Sequence, residues 1–170
     1  MSGNPLKRLA AATALVLVAT GGAFAQSQGC TSTTLRDPPR LAIRCAGGLL
    51  IEAEAAARLE IRAPAGGGPP HAVTLDGRAA LITVEPGRPF QILTPHAIAS
   101  VRGTVYAVDA DAGATAVFVA EGRVHVARRG GSDAVTLGPG DGVDVKPGEP
   151  LIVKRWPQER VSRLFARFAR

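Results

Sequence analysis

The chain predicts an all-β protein: a jelly-roll-like antiparallel β-sandwich with a short C-terminal amphipathic helix. Three observations carry this reading. The 20 glycines and 13 prolines fall between short runs rich in Val, Ile and Leu, the punctuation of many strands joined by tight turns. Val101, Gly103, Val105 and Ala107 alternate with Arg102, Thr104, Tyr106 and Val108, the period of two expected where one sheet face is buried. The tail then changes to a helical period, with Val161, Leu164, Phe165 and Phe168 at i, i+3, i+4 and i+7.

Residues 1–25 read as a secretory signal. Lys7 and Arg8 precede an apolar run from Leu9 to Val18, and Ala23-Phe24-Ala25 supplies a cleavage site. The run is well under the roughly 20 residues that span a bilayer, so cleavage after Ala25 and a periplasmic or secreted protein are expected, rather than an uncleaved anchor. Removing 25 of the 170 residues leaves 145, the size of one domain. Lys7 and Arg8 leave with the signal, so 18 cations face 14 acids and the net charge falls from +6 to +4. That mild excess, without a basic stripe interleaved with aromatics, excludes dedicated nucleic-acid binding.

Residues 26–48 hold both cysteines, Cys30 and Cys45. In an exported chain a disulfide is the default reading. It would restrict the unfolded chain by about 3 kcal/mol in the entropy model and tie the polar stretch Thr31 to Leu41 to the first strand. Two thiols on a metal is the competing reading, for which no nearby His or second Cys pair completes the ligand set.

Residues 49–155 read as the sandwich domain. Its expected strands are Leu49–Ala53, Arg58–Ala63, Ala72–Leu75, Ala80–Val84, Phe90–Leu93, Gly103–Val108, Ala114–Ala120, Arg123–Ala127, Ala134–Leu137, Gly142–Val145 and Leu151–Lys154. Ala53 to Leu59 has the composition for one helical turn, and Ala63 to Pro70 is a loop. Glu121-Gly122 reads as a hairpin turn, since Gly tolerates positive φ, which makes the strands around it three consecutive antiparallel neighbours.

Residues 156–170 open with Trp156-Pro157, and proline suits the first position of a helix. On the helix that follows, Arg160, Arg163, Arg167 and Arg170 occupy the positions away from the apolar stripe. Two readings stand. The apolar face covers an open end of the sandwich and the arginines stay wet, or Trp156 and the arginines bind an anionic surface.

Catalytic chemistry finds little support. His71, His96 and His125 are not paired as H-x-H, and Ser100 lies outside any G-x-S-x-G elbow. Glu52, Glu54 and Glu60 are expected on solvated faces. Leu137 to Gly148 resembles the Gly-Asp to Pro-Gly turn region of cupins, which share jelly-roll architecture, but the cupin metal ligands are missing here. No catalytic residue, metal or cofactor is expected. Arg102-Gly103-Thr104 stands out, because Gly in an apolar strand marks a bulge or a close backbone approach. Arg102 either pairs with Glu121 or Asp109 to fix register, or holds a partner strand or peptide.

Thr94-Pro95, Ala97 to Thr104, Thr115 to Val119 and Glu121 to Val126 together resemble the core of the FecR domain, the periplasmic domain of iron-dicitrate-type sigma-factor regulators. The similarity extends loosely through Val135 to Asp141 and back to about Leu49. The resemblance implies a β-rich sandwich and a non-enzymatic role in envelope signalling through contact with an envelope protein. Its motif residues, Thr94, Pro95, Arg102, Gly103, Thr104, Glu121 and Gly122, become candidate contacts. Strand addition at an exposed edge or the basic helix is the expected route of contact. The alternative is an envelope module that binds polysaccharide or anionic lipid through Trp156, Arg160, Arg163, Arg167 and Arg170. In the family, full-length members are transmembrane sensors that respond to an outer-membrane transporter. This chain offers no stretch ahead of the apolar run to hold a sigma factor and no C-terminal domain sized for a transporter, so direct anti-sigma activity is not expected. Iron responsiveness belongs to the family and to no residue here.

Overall fold

The computed structural model describes residues 29–170; the expected signal, residues 1–25, lies outside them. Twelve strands and one helix follow in order: β1 (Cys30–Arg36), β2 (Pro39–Cys45), β3 (Leu49–Glu54), β4 (Arg58–Arg62), β5 (Ala72–Asp76), β6 (Arg78–Leu93), β7 (Ala97–Ala110), β8 (Thr115–Glu121), β9 (Val124–Arg128), β10 (Ala134–Leu137), β11 (Asp141–Val145), β12 (Lys154–Arg155) and α1 (Gln158–Ala166).

The strands form two layers that share the long hairpin β6–β7. One layer runs β1-β2-β3-β6-β7-β8-β11-β12 and uses residues 78–84 of β6 with 104–110 of β7. The other runs β4-β5-β6-β7-β9-β10 and uses residues 89–93 of β6 with 97–101 of β7. Every pairing is antiparallel except β5 with β6. The core lies between the layers. Ile43, Ile51, Ile82, Tyr106 and Val119 stand opposite one another across five strands of the first layer. Val73, Ile92, Ala99 and Val126 do the same across the second, and all nine side chains belong to one buried cluster. Tyr106 is fully buried, and its hydroxyl has no partner among the described residues. Burial pushes its phenol pKa up.

The layers change hands at Gly103. Between Val84 opposite Thr104 and Pro89 opposite Arg102, β6 carries four residues and β7 only Gly103. Gly103 sits at φ +78°, and a side chain there would lie 2.9 Å from Pro86 N with Pro86 Cα closer still. The extra length and the glycine bend both strands from one layer into the other. They also reset the inward phase: Val101 points into the core below the bend, and Tyr106 and Val108 do so above it. The single alternation read from Val101 to Val108 is therefore two half-patterns offset by one residue.

Other expectations are refined or corrected. The expected Cys30–Cys45 disulfide is present, and the segment it ties, residues 30–45, is the hairpin β1–β2 with Cys30 opposite Cys45. Glu121-Gly122 is not a hairpin turn. β8 pairs with the upper half of β7 and β9 with the lower half, so the chain crosses between layers there. Ala55 and Ala56 lie in a turn joining β3 to β4, not in a helix. The expected strand at 151–154 contracts to Lys154–Arg155, and the expected strands at 80–84 and 90–93 are one, β6.

Gly103→Ala forces a β-carbon against Pro86 at positive φ, so it is expected to lower stability by about 3 kcal/mol. Urea unfolding checks this; an unchanged midpoint would show that the bend tolerates a side chain.

Candidate functional site

The outer face of the first layer is closed by the chain itself. Glu52, Leu81, Ala107, Phe118 and Gly142 form one outward row across β3, β6, β7, β8 and β11. Leu164 and Phe168 bury against it with Trp156, and Val161 and Phe165 pack at the margin. These four residues from 161 to 168 are the stripe read from the sequence. Trp156 stacks on Phe118 with centroids 5.3 Å apart, and Phe165 meets Phe118 edge-on at 5.8 Å. Gly142 matters here because any side chain would occupy the space of the Trp156 indole.

The helix arginines each have a carboxylate partner, although Arg163 and Arg170 stay exposed. Arg167 donates to Glu54 at 2.7 Å and to Asp109 at 2.5 Å, bridging β3 and β7. Arg170 donates to Glu52 at 2.7 Å. Arg160 lies 3.4 Å above the Trp156 ring and donates to Asp144 at 2.9 Å, and Arg163 pairs with Glu159 one turn back. Glu52 and Glu54, expected on solvated faces, are therefore the acids that hold the tail. The helix covers a sheet face and not an open end of the sandwich, and Trp156 is buried at 8% exposure. Burial pushes the Glu54 carboxyl up, but hydrogen bonds from Arg167 and the Ala79 amide, with the charges of Arg167 and Arg78, outweigh it and hold the group below the usual carboxylate range.

Most of the motif residues serve the frame. Thr94 is buried; its hydroxyl accepts from the Ala97 amide at 2.9 Å and meets the Thr115 hydroxyl at 2.8 Å. Pro95 is exposed at the tip of that turn, and Arg129 closes it by donating to the Thr94 carbonyl at 2.9 Å. His96 Nδ1 lies 3.4 Å from the Thr115 hydroxyl. Thr104 donates to the Arg123 carbonyl at 3.1 Å. Gly122, at φ +82°, passes so close to β7 that a side chain would lie 2.6 Å from the Gly103 carbonyl oxygen. Glu121 is exposed and forms no ion pair among the described residues. The two glycines of the two phrases thus meet at the bend.

Arg102 behaves differently. It is exposed, and among the described residues it pairs with neither Glu121 nor Asp109; Asp109 is held by Arg167. It lines a groove of about 460 Å³ on the outer face of the second layer. Gln91, Ser100, His125 and Thr136 cross that face as one row over β6, β7, β9 and β10, with Gln91 donating to Ser100 at 3.1 Å. Arg102 and Arg123 lie one strand repeat further along, and His71 borders the groove beside Gln91. No carboxylate lines it. Of these residues only Arg102 was singled out as a contact from the sequence. Arg123, His125 and Gln91 join it through a register visible only once β9 is known to pair with β7. Among the described residues no three His, Cys, Asp or Glu side chains converge to hold a metal, and no helix is long and apolar enough to cross a membrane.

The two shared-hairpin layers place the chain in a class of β-sandwich found in two crystal structures of a candidate anti-sigma factor from Parabacteroides distasonis ATCC 8503. One is similar at 19% identity and TM-score 0.62, over 78% of this chain and 63% of that one. The other is similar at 19% identity and TM-score 0.55, over 79% of this chain and 60% of that one. The present chain thus spans less than two thirds of either. No curated protein matches it. The family model described as FecR protein matches residues 33–125, more than half of the chain. The chain belongs to the FecR family.

Folding lowers the Glu54 carboxyl, so what the Arg167 clasp contributes is complete above the unfolded carboxylate range, near 4.5, and fades as pH falls below it. Arg167→Ala is expected to lower stability by about 2 kcal/mol at neutral pH and to make the loss of stability on acidification shallower. Urea midpoints measured from pH 7 down to pH 3 check both; parallel losses in the two proteins would show that the clasp does not carry the acid sensitivity.

Proposed function

We propose that this protein is a periplasmic, non-enzymatic FecR-domain module that regulates envelope signalling by contact with a protein partner through the open outer face of its second layer. The observation that carries the reading is the asymmetry of the sandwich. One outer face is closed by α1, whose arginines are taken up by Glu52, Glu54, Asp109 and Asp144. The other is open among the described residues, where Arg102 and Arg123 line a groove bordered by His71 and His125 and by no carboxylate. The Cys30–Cys45 disulfide fits an oxidising compartment. The two similar structures bear an anti-sigma description, and the contact reading concerns the part of them that this chain matches.

The basic helix is a weaker route to a partner, because a guanidinium held by carboxylates of its own sheet has little charge left to offer. Strand addition is also weaker at β4, where Arg58, Glu60 and Arg62 alternate along the free edge, a pattern that opposes pairing with another strand.

Photo-crosslinking in the native host tests the reading. A photoreactive residue replacing Ser100, in the groove, is expected to form adducts with an envelope protein, and one replacing Ser162, exposed on α1, is expected to form none. Adducts from Ser162 alone would overturn the face assignment.

A further inference from the structure

Arg102 and Arg123 occupy an unusual relation. The β7–β9 ladder runs from Ala97 opposite Arg128 to Val101 opposite Val124; Arg102 and Arg123 are the next residue on either side of its end, and both line the groove. Both are exposed, and neither makes a side-chain hydrogen bond or ion pair among the described residues. Neighbouring like charges on a sheet are destabilising, and no acid pairs with either guanidinium among the described residues. Arg40 of β2 and Arg160, Arg163, Arg167 and Arg170 of the C-terminal segment, by contrast, have carboxylate partners. No contact of the fold among the described residues depends on the side chains of Arg102 and Arg123. Two guanidiniums lining one groove that no carboxylate lines offer donors to a carboxylate, which arginine grips in two-point fashion.

The rest of the groove repeats at the spacing of an extended chain. Ser100 and His125 lie two residues from Arg102 and Arg123 on the same faces of β7 and β9, a step of roughly 7 Å. Alternate side chains of an extended peptide are separated by the same step. A peptide lying along β7 would set one side chain on the arginine pair and its i+2 neighbour on Ser100, His125 and Gln91. Those groups, with Thr136 and His71, offer hydrogen-bond donors to a second acidic or amide side chain.

We infer that the groove of the second layer binds an extended acidic segment of the partner protein, with a carboxylate seated between Arg102 and Arg123. The inference rests on the contact reading above and supplies its chemistry. Among anionic occupants a peptide fits best: the site is a concave groove of about 460 Å³ whose polar side chains repeat at the step of an extended polypeptide.

Fluorescence anisotropy with the full mature chain tests this, using a labelled peptide of alternating Glu and Val and a matched peptide of alternating Gln and Val. Saturable binding of the Glu peptide is expected, with affinity falling about tenfold in Arg102→Ala and in Arg123→Ala, roughly the loss of one charge-assisted contact, and unchanged in Arg163→Ala. Equal binding of the Gln peptide, or arginine variants that bind as the parent does, would overturn the inference. So would displacement of the peptide by sulfated oligosaccharide or phosphatidylglycerol vesicles at lower charge concentration than by unlabelled peptide. Failure of the peptide to bind while Ser100 still crosslinks to an envelope protein overturns the acidic-segment chemistry alone, and failure of both overturns the contact reading.

Discussion

The packing of Pro86, Gly103 and Gly122 is the constraint on which the rest of the architecture depends. Two long strands must leave one sheet and enter another through a four-residue bulge, and backbone can only approach backbone that closely where side chains are absent. Gly103 lets the β6 bulge fold over β7, and Gly122 lets the chain pass the same point as it leaves β8 for β9. From that crossing follow the two core faces, the change of phase along β7, and the partner change that gives its lower half to β9.

The same crossing explains why the outer faces differ. Above the bend, β7 presents Ala107 and Asp109 outward, one small enough for a helix to lie on and the other an acid for Arg167 to hold. Below it, β7 presents Ser100 and Arg102, polar and uncovered. Hydrophobic burial of Leu164, Phe168 and Trp156 supplies the attraction for the tail, and the carboxylates of β3, β7 and β11 fix where it lies. Among the described residues no element covers that second face, and this is the asymmetry on which the contact proposal rests.

The fold class was legible because its signals are local. Alternation, turn residues and the stripe from Val161 to Phe168 are each local in sequence, and all four stripe residues pack on the first layer, Leu164 and Phe168 buried and Val161 and Phe165 partly so. The hairpin β1–β2 was not, because Thr31 to Thr34 are exposed and carry no apolar alternation; pairing with β2 and the disulfide order them. The connectivity around Glu121-Gly122 failed for a different reason. A positive-φ glycine suits a hairpin and a crossover equally, and only the long-range pairing of β7 decides between them. The candidate site was half legible. Arg102 attracted notice as a charge beside a strand glycine, whereas Arg123 sits in no motif of its own and gains meaning only by lining the same groove as Arg102. The helix arginines misled for the converse reason: four cations near the C-terminus look free in sequence, and the acids that hold Arg167 and Arg170 lie more than 50 residues away in β3 and β7.

The account divides neighbouring residues sharply, assigning Gly103 to the frame and Arg102, with Arg123, to the open face. Equilibrium urea unfolding of the Arg102→Ala, Arg123→Ala double variant tests that division most directly. The account predicts a midpoint at or slightly above that of the parent, since two like charges are removed and no contact of the fold is lost. A fall of more than about 1 kcal/mol, the size of a lost structural contact, would contradict it and place the arginines within the frame they are said to decorate.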